Sequence, residues 1–384
     1  MDKKDLQEVK KQIEEFRNLF KDNPVKHIEE GTWFTIVLQM VLNETPQKLD
    51  AKFFKKKYIG LSNEQKAKQL VKATANYTAI AGGCAAGVVS AAEVSTVVTA
   101  GWSLTAAAVT LIGEISFITY LQLKLVYEIS ILLNAKLDRE DPEDILILFW
   151  FALGINVWDD ISNTVLKVGP RSTEYLGRKA LRSGIRSGIQ SMVTRIGGTR
   201  LARKITERAL LKLIVPGINI PIAAIVNRTF TSKLGNKAIK KFKTRGAVIS
   251  VIDNLLKMDR YYSILSIPLI YYVGIIDNKD NKDKKDKKGL NEVIEMQSNT
   301  TKKIFLTDDE DNLVDNILQL DFDEFCKLLD EIKGQPAADL LGDIAAYTSI
   351  LKGNNNHSKL EKIIESLDVK DKINLGSYKG RLGN

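Results

Sequence analysis

Residues 77–113 read YTAIAGGCAAGVVSAAEVSTVVTAGWSLTAAAVTLIG, and Glu93 is the only charged side chain among them. Ala, Gly, Val, Ser and Thr dominate the stretch. Small residues recur every four positions and so line one face of a helix, namely Ala79, Gly83, Gly87, Ala91, Ser95, Thr99, Ser103 and Ala107. Because such a face lets two helices approach closely, the stretch predicts a tightly packed hairpin at the centre of a helical bundle.

A membrane-inserting hairpin is the alternative interpretation of the same residues. Positions 94–113 are twenty residues without a charge, which is long enough to span a bilayer. These side chains are only weakly apolar, however, and Gly101 interrupts the run. The composition favours the soluble bundle, and a membrane-inserting, pore-forming effector that uses residues 77–113 is the alternative.

Toward the amino terminus the chain predicts a series of amphipathic helices. Apolar residues recur at helical spacing over residues 6–20, and Asn23-Pro24 ends that pattern. Residues 32–42 and 50–58 predict two more helices. The next helix is expected to begin at Ser62, because Gln65 follows three residues later in the pattern of a capping box.

Toward the carboxyl terminus the apolar pattern again repeats at 3.6 residues, and no run alternates over the length of a strand. Helices are expected over residues 114–133, 145–157, 174–196, 201–213 and 233–245, with one or two more over 248–276. The fold class is therefore all-α: a multi-helix bundle with a central Gly/Ala hairpin and a separate small carboxyl-terminal helical domain.

A low-complexity charged run, DNKDNKDKKDKKG at residues 277–289, suggests where the chain divides, because it has no apolar side chain to bury. The predicted organisation is an amino-terminal helical segment (1–62), a helical core (63–276), a charged linker (277–303), an acidic helical domain (304–370) and a loose tail (371–384). On this division, a chain that ends near residue 277 is expected to fold alone.

The net charge of +9 hides an uneven distribution. Residues 167–245 hold 19 Lys and Arg against two Glu, a local net charge of +17, whereas residues 306–345 have a net charge of −10. This asymmetry predicts an anion-binding face and an intramolecular contact between the acidic domain and the basic core. The candidate anion- or lipid-binding residues are Arg178, Arg182, Arg186, Arg200, Arg203, Lys204, Arg208, Lys240 and Lys241.

Motifs for catalysis are absent from the sequence. The two histidines, His27 and His357, lie in unrelated contexts, and no phosphate-binding, dinucleotide-binding or nucleophile-elbow string occurs. The acids of residues 138–144 suit the first turn of a helix, where carboxylates meet the helix dipole. We expect no cofactor, no metal and no catalytic residue that the spacing singles out.

The compartment is suggested by two simple features. The amino terminus lacks the basic and apolar regions of a secretory signal, and Cys84 and Cys326 cannot build a disulfide framework. We expect a cytoplasmic protein that is peripheral to the inner face of the membrane.

Three stretches together resemble the EcsC family. They are the small-residue segment, the helix at 114–143 that holds Gln122 and runs into LNAKLDREDPED, and the stretch PGINIPIAAIVNRTFTSKLGNKAIKKFKTR at 216–245. Asn134-Ala135 stands where the family often has Tyr-Gly. The similarity covers residues 63–276, and the family-motif positions are Glu114, Gln122, Asp138, Asp141, Asn227 and Thr231.

The resemblance implies an all-α protein that is cytosolic or membrane-peripheral, in a family whose namesake is associated with an ABC transporter and protein secretion. The acidic carboxyl-terminal piece is more weakly similar to the TerB-like helical domains of tellurite-resistance clusters.

Three functions from different classes fit these features. The first is a membrane-peripheral module whose basic helical face binds anionic lipid or a protein partner at a membrane, linked to membrane transport, secretion or membrane stress. The second is nucleic-acid binding by the same face, although the basic helices lack interleaved aromatic residues. The third is an enzyme that uses the carboxylates of residues 138–144.

Overall fold

The computed structural model describes residues 3–24, 26–27, 32–48, 54, 57–89, 102–135, 137, 148, 219–274, 313–314, 316–352 and 357–382. Within these ranges the chain is 85% helical and holds no β-strand, so the all-α prediction is confirmed. The helices are α1 (Lys3–Leu19), α2 (Thr32–Lys48), α3 (Asn63–Val89), α4 (Trp102–Leu132), α5 (Asn219–Met258), α6 (Arg260–Gly274), α7 (Phe322–Asp330), α8 (Pro336–Lys352), α9 (His357–Leu367) and α10 (Leu375–Leu382).

The chain divides into two compact units. Unit 1 comprises Met1–Leu132 and Leu137–Ile239, and unit 2 comprises Leu133–Lys136 and Lys240–Asn384. The boundary falls inside α5, not at the charged run of residues 277–289. The division that the sequence predicted, with one core over 63–276 and a second over 304–370, therefore does not coincide with the division of the structure.

In unit 1, α4 is the central helix, and α1, α2 and α3 all pack against it. Its apolar side chains are buried around most of its circumference, as those of Phe117, Leu123 and Ile129 show. The helical spacing predicted over residues 6–20 is confirmed, since Val9, Ile13, Phe16 and Phe20 are all buried. The ring of Phe16 lies 5.5 Å from that of Phe117 in an edge-on contact.

The start of α3 has the predicted capping box. The backbone N–H of Gln65 donates to Ser62 Oγ at 3.2 Å, and the backbone N–H of Ser62 donates to Gln65 Oε1 at 2.8 Å. These two bonds satisfy amides that a helix amino terminus otherwise leaves without partners.

The predicted hairpin lies partly outside the described residues. Helices α3 and α4 pack against each other, whereas residues 90–101 and the side chains of residues 84–108 are not described. Within residues 75–83 of α3 the buried positions are Ala75, Thr78, Ala81 and Gly82, while Ala79 and Gly83 are half-buried. The buried arc of α3 is thus centred beside the predicted small-residue face, because the stretch is small on more than one side.

Unit 2 has a core that α6 shares with the acidic carboxyl-terminal helices. Buried side chains of α5 and α6, such as Ile252, Leu265 and Ile270, pack in one cluster with Phe325 and Leu341. Helix α6 packs mainly on α8, and α8 in turn packs on α9 and α10. Because α6 is apolar around its whole circumference, it needs these helices as partners. The expectation that a chain ending near residue 277 folds alone disagrees with this shared core.

Tyr272 joins α6 to the chain that precedes α7. Its hydroxyl lies 2.5 Å from the carbonyl oxygen of Leu320 and donates to it, with the carbonyl oxygen of Ile317 at 3.3 Å. Its ring stacks on Phe325 with centroids 4.7 Å apart. Burial raises the pKa of Tyr272 most, and Tyr271, Asp321 and Glu324 raise it further, to about 12. The hydroxyl therefore keeps its proton and acts as a hydrogen-bond donor.

Candidate functional site

The structure describes only some of the residues that the sequence singled out. Arg178, Arg182, Arg186, Arg200, Arg203, Lys204 and Arg208 lie outside the described residues, as do Asp138 and Asp141. Glu114 and Gln122 lie on α4, and the remaining four, Asn227, Thr231, Lys240 and Lys241, all lie on α5. Helix α5 is therefore the element that positions the candidate site.

One face of α5 takes part in a buried polar cluster. Gln122 Nε2 donates to Thr231 Oγ1 at 3.0 Å. The hydroxyl of Thr78 donates to the same Thr231 oxygen at 3.0 Å. The carbonyl oxygens of Ala75 and Asn227 lie 3.1 and 3.5 Å from Thr78 Oγ1. Thr78 and Thr231 are fully buried, and Gln122 and Asn227 nearly so. The cluster joins α3, α4 and α5 by polar contacts inside unit 1.

The cluster brings together three of the family-motif positions, Gln122, Asn227 and Thr231. Gln122 and Thr231 contribute their side chains, which bond to each other, whereas Asn227 contributes its backbone carbonyl oxygen. Hydrogen bonds of this kind make buried polar atoms tolerable in a core. Its chemistry therefore suits the fixing of helix positions. Thr78 was not among the predicted site residues, because small residues surround it in the sequence and nothing distinguishes it from the other threonines of residues 77–113.

A close contact also requires glycine on this side of α5. A Cβ at Gly235 would lie 2.5 Å from Val71 Cγ2, which is closer than side-chain atoms can approach. Gly235 therefore lets α5 lie directly against α3. The contact explains why glycine stands at position 235 of the family-like stretch 216–245.

The opposite face of α5 is exposed and basic. Arg228, Lys233, Lys237 and Lys240 are all exposed, and Lys241 and Lys243 are half-buried. Positions 233, 237 and 240 are separated by four and three residues, so their side chains follow one stripe of the helix. With a rise of 1.5 Å per residue, the stripe is about 10 Å long. Arg245 is not part of it, because its side chain is only 6% exposed.

Unit 1 also holds a buried carboxyl group, that of Glu128 on α4. Burial raises its pKa, and the charges of Lys124 and Lys57 oppose that shift. The pKa of Tyr58 is also raised, first by its own burial and then by Glu128. Glu128 was not among the predicted site residues, because a single acid at the end of an apolar helix gives no sign in the sequence that it is buried.

Metal binding finds no support in the part of the chain that the structure describes. No group of three or more His, Cys, Asp or Glu side chains there is close enough to hold an ion.

One described segment, residues 112–132 of α4, has the length and apolar composition of a membrane span. Of its most apolar window, 72% is buried inside the protein, as expected for the central helix of a bundle.

Comparison with known proteins gives no relative from which to transfer a function. No protein-family model matches the sequence, and neither a curated protein nor a solved structure shows significant similarity to it. The resemblance to the EcsC family therefore stays a prediction that rests on the three stretches quoted above.

Proposed function

We propose that this protein is a membrane-peripheral binding module that attaches to an anionic membrane surface through the exposed basic face of α5. The observation that supports the proposal is the stripe of Lys233, Lys237 and Lys240, which lies opposite the buried polar cluster on the same helix. A helix anchored on one face and basic on the other presents its charges to a partner without unfolding. Following the EcsC resemblance, we place the module in membrane transport, secretion or membrane stress.

The expected strength of this interaction follows from the number of charges. A Lys or Arg near an anionic bilayer contributes about 1 kcal/mol, so the three lysines contribute about 3 kcal/mol. Since 1.4 kcal/mol is a factor of ten in affinity, their loss would weaken binding roughly 100-fold. The other basic residues of positions 167–245 add to this attraction, and salt screens all of it.

The direct test replaces Lys233, Lys237 and Lys240 by Gln in the full-length chain. Co-sedimentation with vesicles that contain phosphatidylglycerol is expected to show the roughly 100-fold loss, with no binding to phosphatidylcholine alone. A matched control replaces Lys10, Lys11 and Lys72, which are also exposed, by Gln, so that the net charge falls equally. If both triple variants lose the same affinity, only net charge matters and the proposed face is wrong.

Nucleic-acid binding would use the same lysines, and one further measurement distinguishes it from membrane binding. A duplex of DNA or RNA provides phosphates, so the lysine stripe would attract it with a strong salt dependence. Binding of such a duplex at physiological salt that exceeds binding to anionic vesicles would favour the nucleic-acid function over the membrane function.

A further inference from the structure

Two large apolar side chains lie exposed near the beginning of α5. Ile225 is 63% exposed and Val226 is 45% exposed. Single exposed apolar residues are ordinary on protein surfaces. These two are adjacent, however, and the basic residue Arg228 follows them on the same helix.

Val226 lies on the stripe that carries the lysines. Positions 226, 229, 233, 237 and 240 are spaced by three or four residues, so they share one side of α5, and all five are exposed. Along the axis Val226 lies about 10 Å before Lys233 and about 20 Å before Lys240. The exposed face of α5 thus has an apolar end followed by a row of ammonium groups.

We infer that Ile225 and Val226 insert below the headgroups of an anionic lipid bilayer while the lysines of the stripe bind the headgroup phosphates. The inference rests on the proposed function and adds which side chains enter the membrane. An apolar residue at the acyl boundary combined with lysines at the headgroups is how helices lie in a membrane interface.

Charge and apolarity together select a bilayer as the partner. The basic stripe complements an anionic surface, and a nucleic acid offers phosphates without an apolar interior for two β-branched side chains. The sequence before the stripe fits the same partner, since residues 213–226, LIVPGINIPIAAIV, hold no charged side chain. Insertion also leaves the core intact, because Asn227 and Thr231 face the opposite way into the buried cluster.

The first test replaces Ile225 and Val226 together by Ser. We expect roughly tenfold weaker binding to vesicles of phosphatidylglycerol and phosphatidylcholine, because two partly exposed aliphatic side chains no longer leave water. Binding to a soluble polyanion such as heparin is expected to be unchanged. The matched control is Ile59→Ser, which removes an 85% exposed aliphatic side chain away from α5 and is expected to leave vesicle binding unchanged.

A second measurement reports insertion directly and does not depend on affinity. In Ile225→Trp, phospholipids brominated in their acyl chains are expected to quench more tryptophan fluorescence than in the wild-type protein, whereas Lys72→Trp is expected to add no quenching. If Ile225→Trp shows no additional quenching and the double Ser variant binds vesicles normally, insertion is wrong. In that case the proposed function stands if the variant with Lys233, Lys237 and Lys240 replaced by Gln still loses vesicle binding. If that variant also binds vesicles normally, both the insertion and the proposed function are wrong.

Discussion

The hydroxyl oxygen of Thr231 is the acceptor for two buried hydrogen-bond donors inside unit 1. It accepts hydrogen bonds from Gln122 Nε2 and from the hydroxyl of Thr78, each at 3.0 Å. No water reaches these atoms, since Thr78 and Thr231 are fully buried. Without the Thr231 oxygen, the hydroxyl of Thr78 keeps the carbonyl oxygen of Ala75 as an acceptor at 3.1 Å, whereas Gln122 Nε2 loses this acceptor. A buried donor that loses its acceptor is destabilising, because its desolvation is no longer offset.

Thr231→Val therefore tests the cluster at the scale of one residue. The substitution keeps the shape and removes the acceptor, so we expect the free energy of unfolding to fall by about 1–3 kcal/mol. Thr229→Val on the exposed side of α5 serves as the matched control and is expected to change it by less than about 0.5 kcal/mol. Urea unfolding of the two variants gives both values, and equal losses would contradict a role for the buried bond.

The sequence revealed this cluster only in part. Gln122, Asn227 and Thr231 were singled out through a family resemblance, and nothing in their spacing predicts that α4 and α5 meet at them. Thr78 is more than 40 residues from Gln122 and more than 140 from Asn227. Contacts between such distant positions depend on how the helices cross, which a local periodicity does not contain.

Among the elements, α5 shows how periodicity can mislead about length. The sequence predicts a basic helix over 233–245 and separate apolar helices over 248–276, whereas α5 continues without a break over Asn219–Met258. The change from basic to apolar residues suggests a boundary in the sequence, although a helix continues when the elements that pack against it change. Pro221 occupies the first turn of α5, where the missing N–H of proline costs no helical bond.

At Gly246, α5 passes close to the backbone of Leu133 within unit 2. A Cβ at this position would lie 1.9 Å from the carbonyl oxygen of Leu133, just beyond the end of α4. The residue after Leu133 is Asn134, whose positive φ of 55° turns the chain away from the helix. The backbone atoms of Leu133 and Asn134 therefore leave no room for a side chain at position 246.

Gly246→Ala is accordingly expected to destabilise the protein. Relieving the overlap requires α5 and the backbone of Leu133 to move apart within unit 2, at a cost of about 1–3 kcal/mol, which outweighs the gain in helix propensity. The matched control is Gly380→Ala on α10, because a Cβ at Gly380 meets no atom within 4 Å. Thermal unfolding is expected to show a lower midpoint for the first variant alone, and equal midpoints would argue against the close approach.

For the whole molecule, charge was a poor guide to which helices share a core. The acidic residues of 306–345 and the run at 277–289 suggested an independent domain, because composition changes abruptly there. The burial of α6 with α7, α8 and α9 depends instead on apolar side chains such as Phe325, Leu341 and Ile363. Since acids and lysines occupy the exposed positions of these helices, the average charge of the segment hides its apolar faces.

A chain that ends near residue 277 is now expected to fold poorly. It would leave Leu265, Leu269 and Ile270 of α6, all fully buried in the intact protein, without the helices that cover them. Tyr272 would also lose its acceptor at Leu320 and its stacking on Phe325. We expect aggregation, or binding of a dye that reports exposed apolar surface, where the full-length chain shows neither.

Cleavage of the full-length protein separates this explanation from a general intolerance of truncation. A protease site placed in the charged run of residues 277–289 leaves every core residue of unit 2 present. After cleavage the two fragments are expected to elute together in size-exclusion chromatography, because the shared apolar core holds α6 to α8 without a covalent link. Two separately folded domains would instead elute apart, and the fragment ending near residue 277 would remain soluble. That result would restore the domain boundary predicted from the charged run and contradict the shared core.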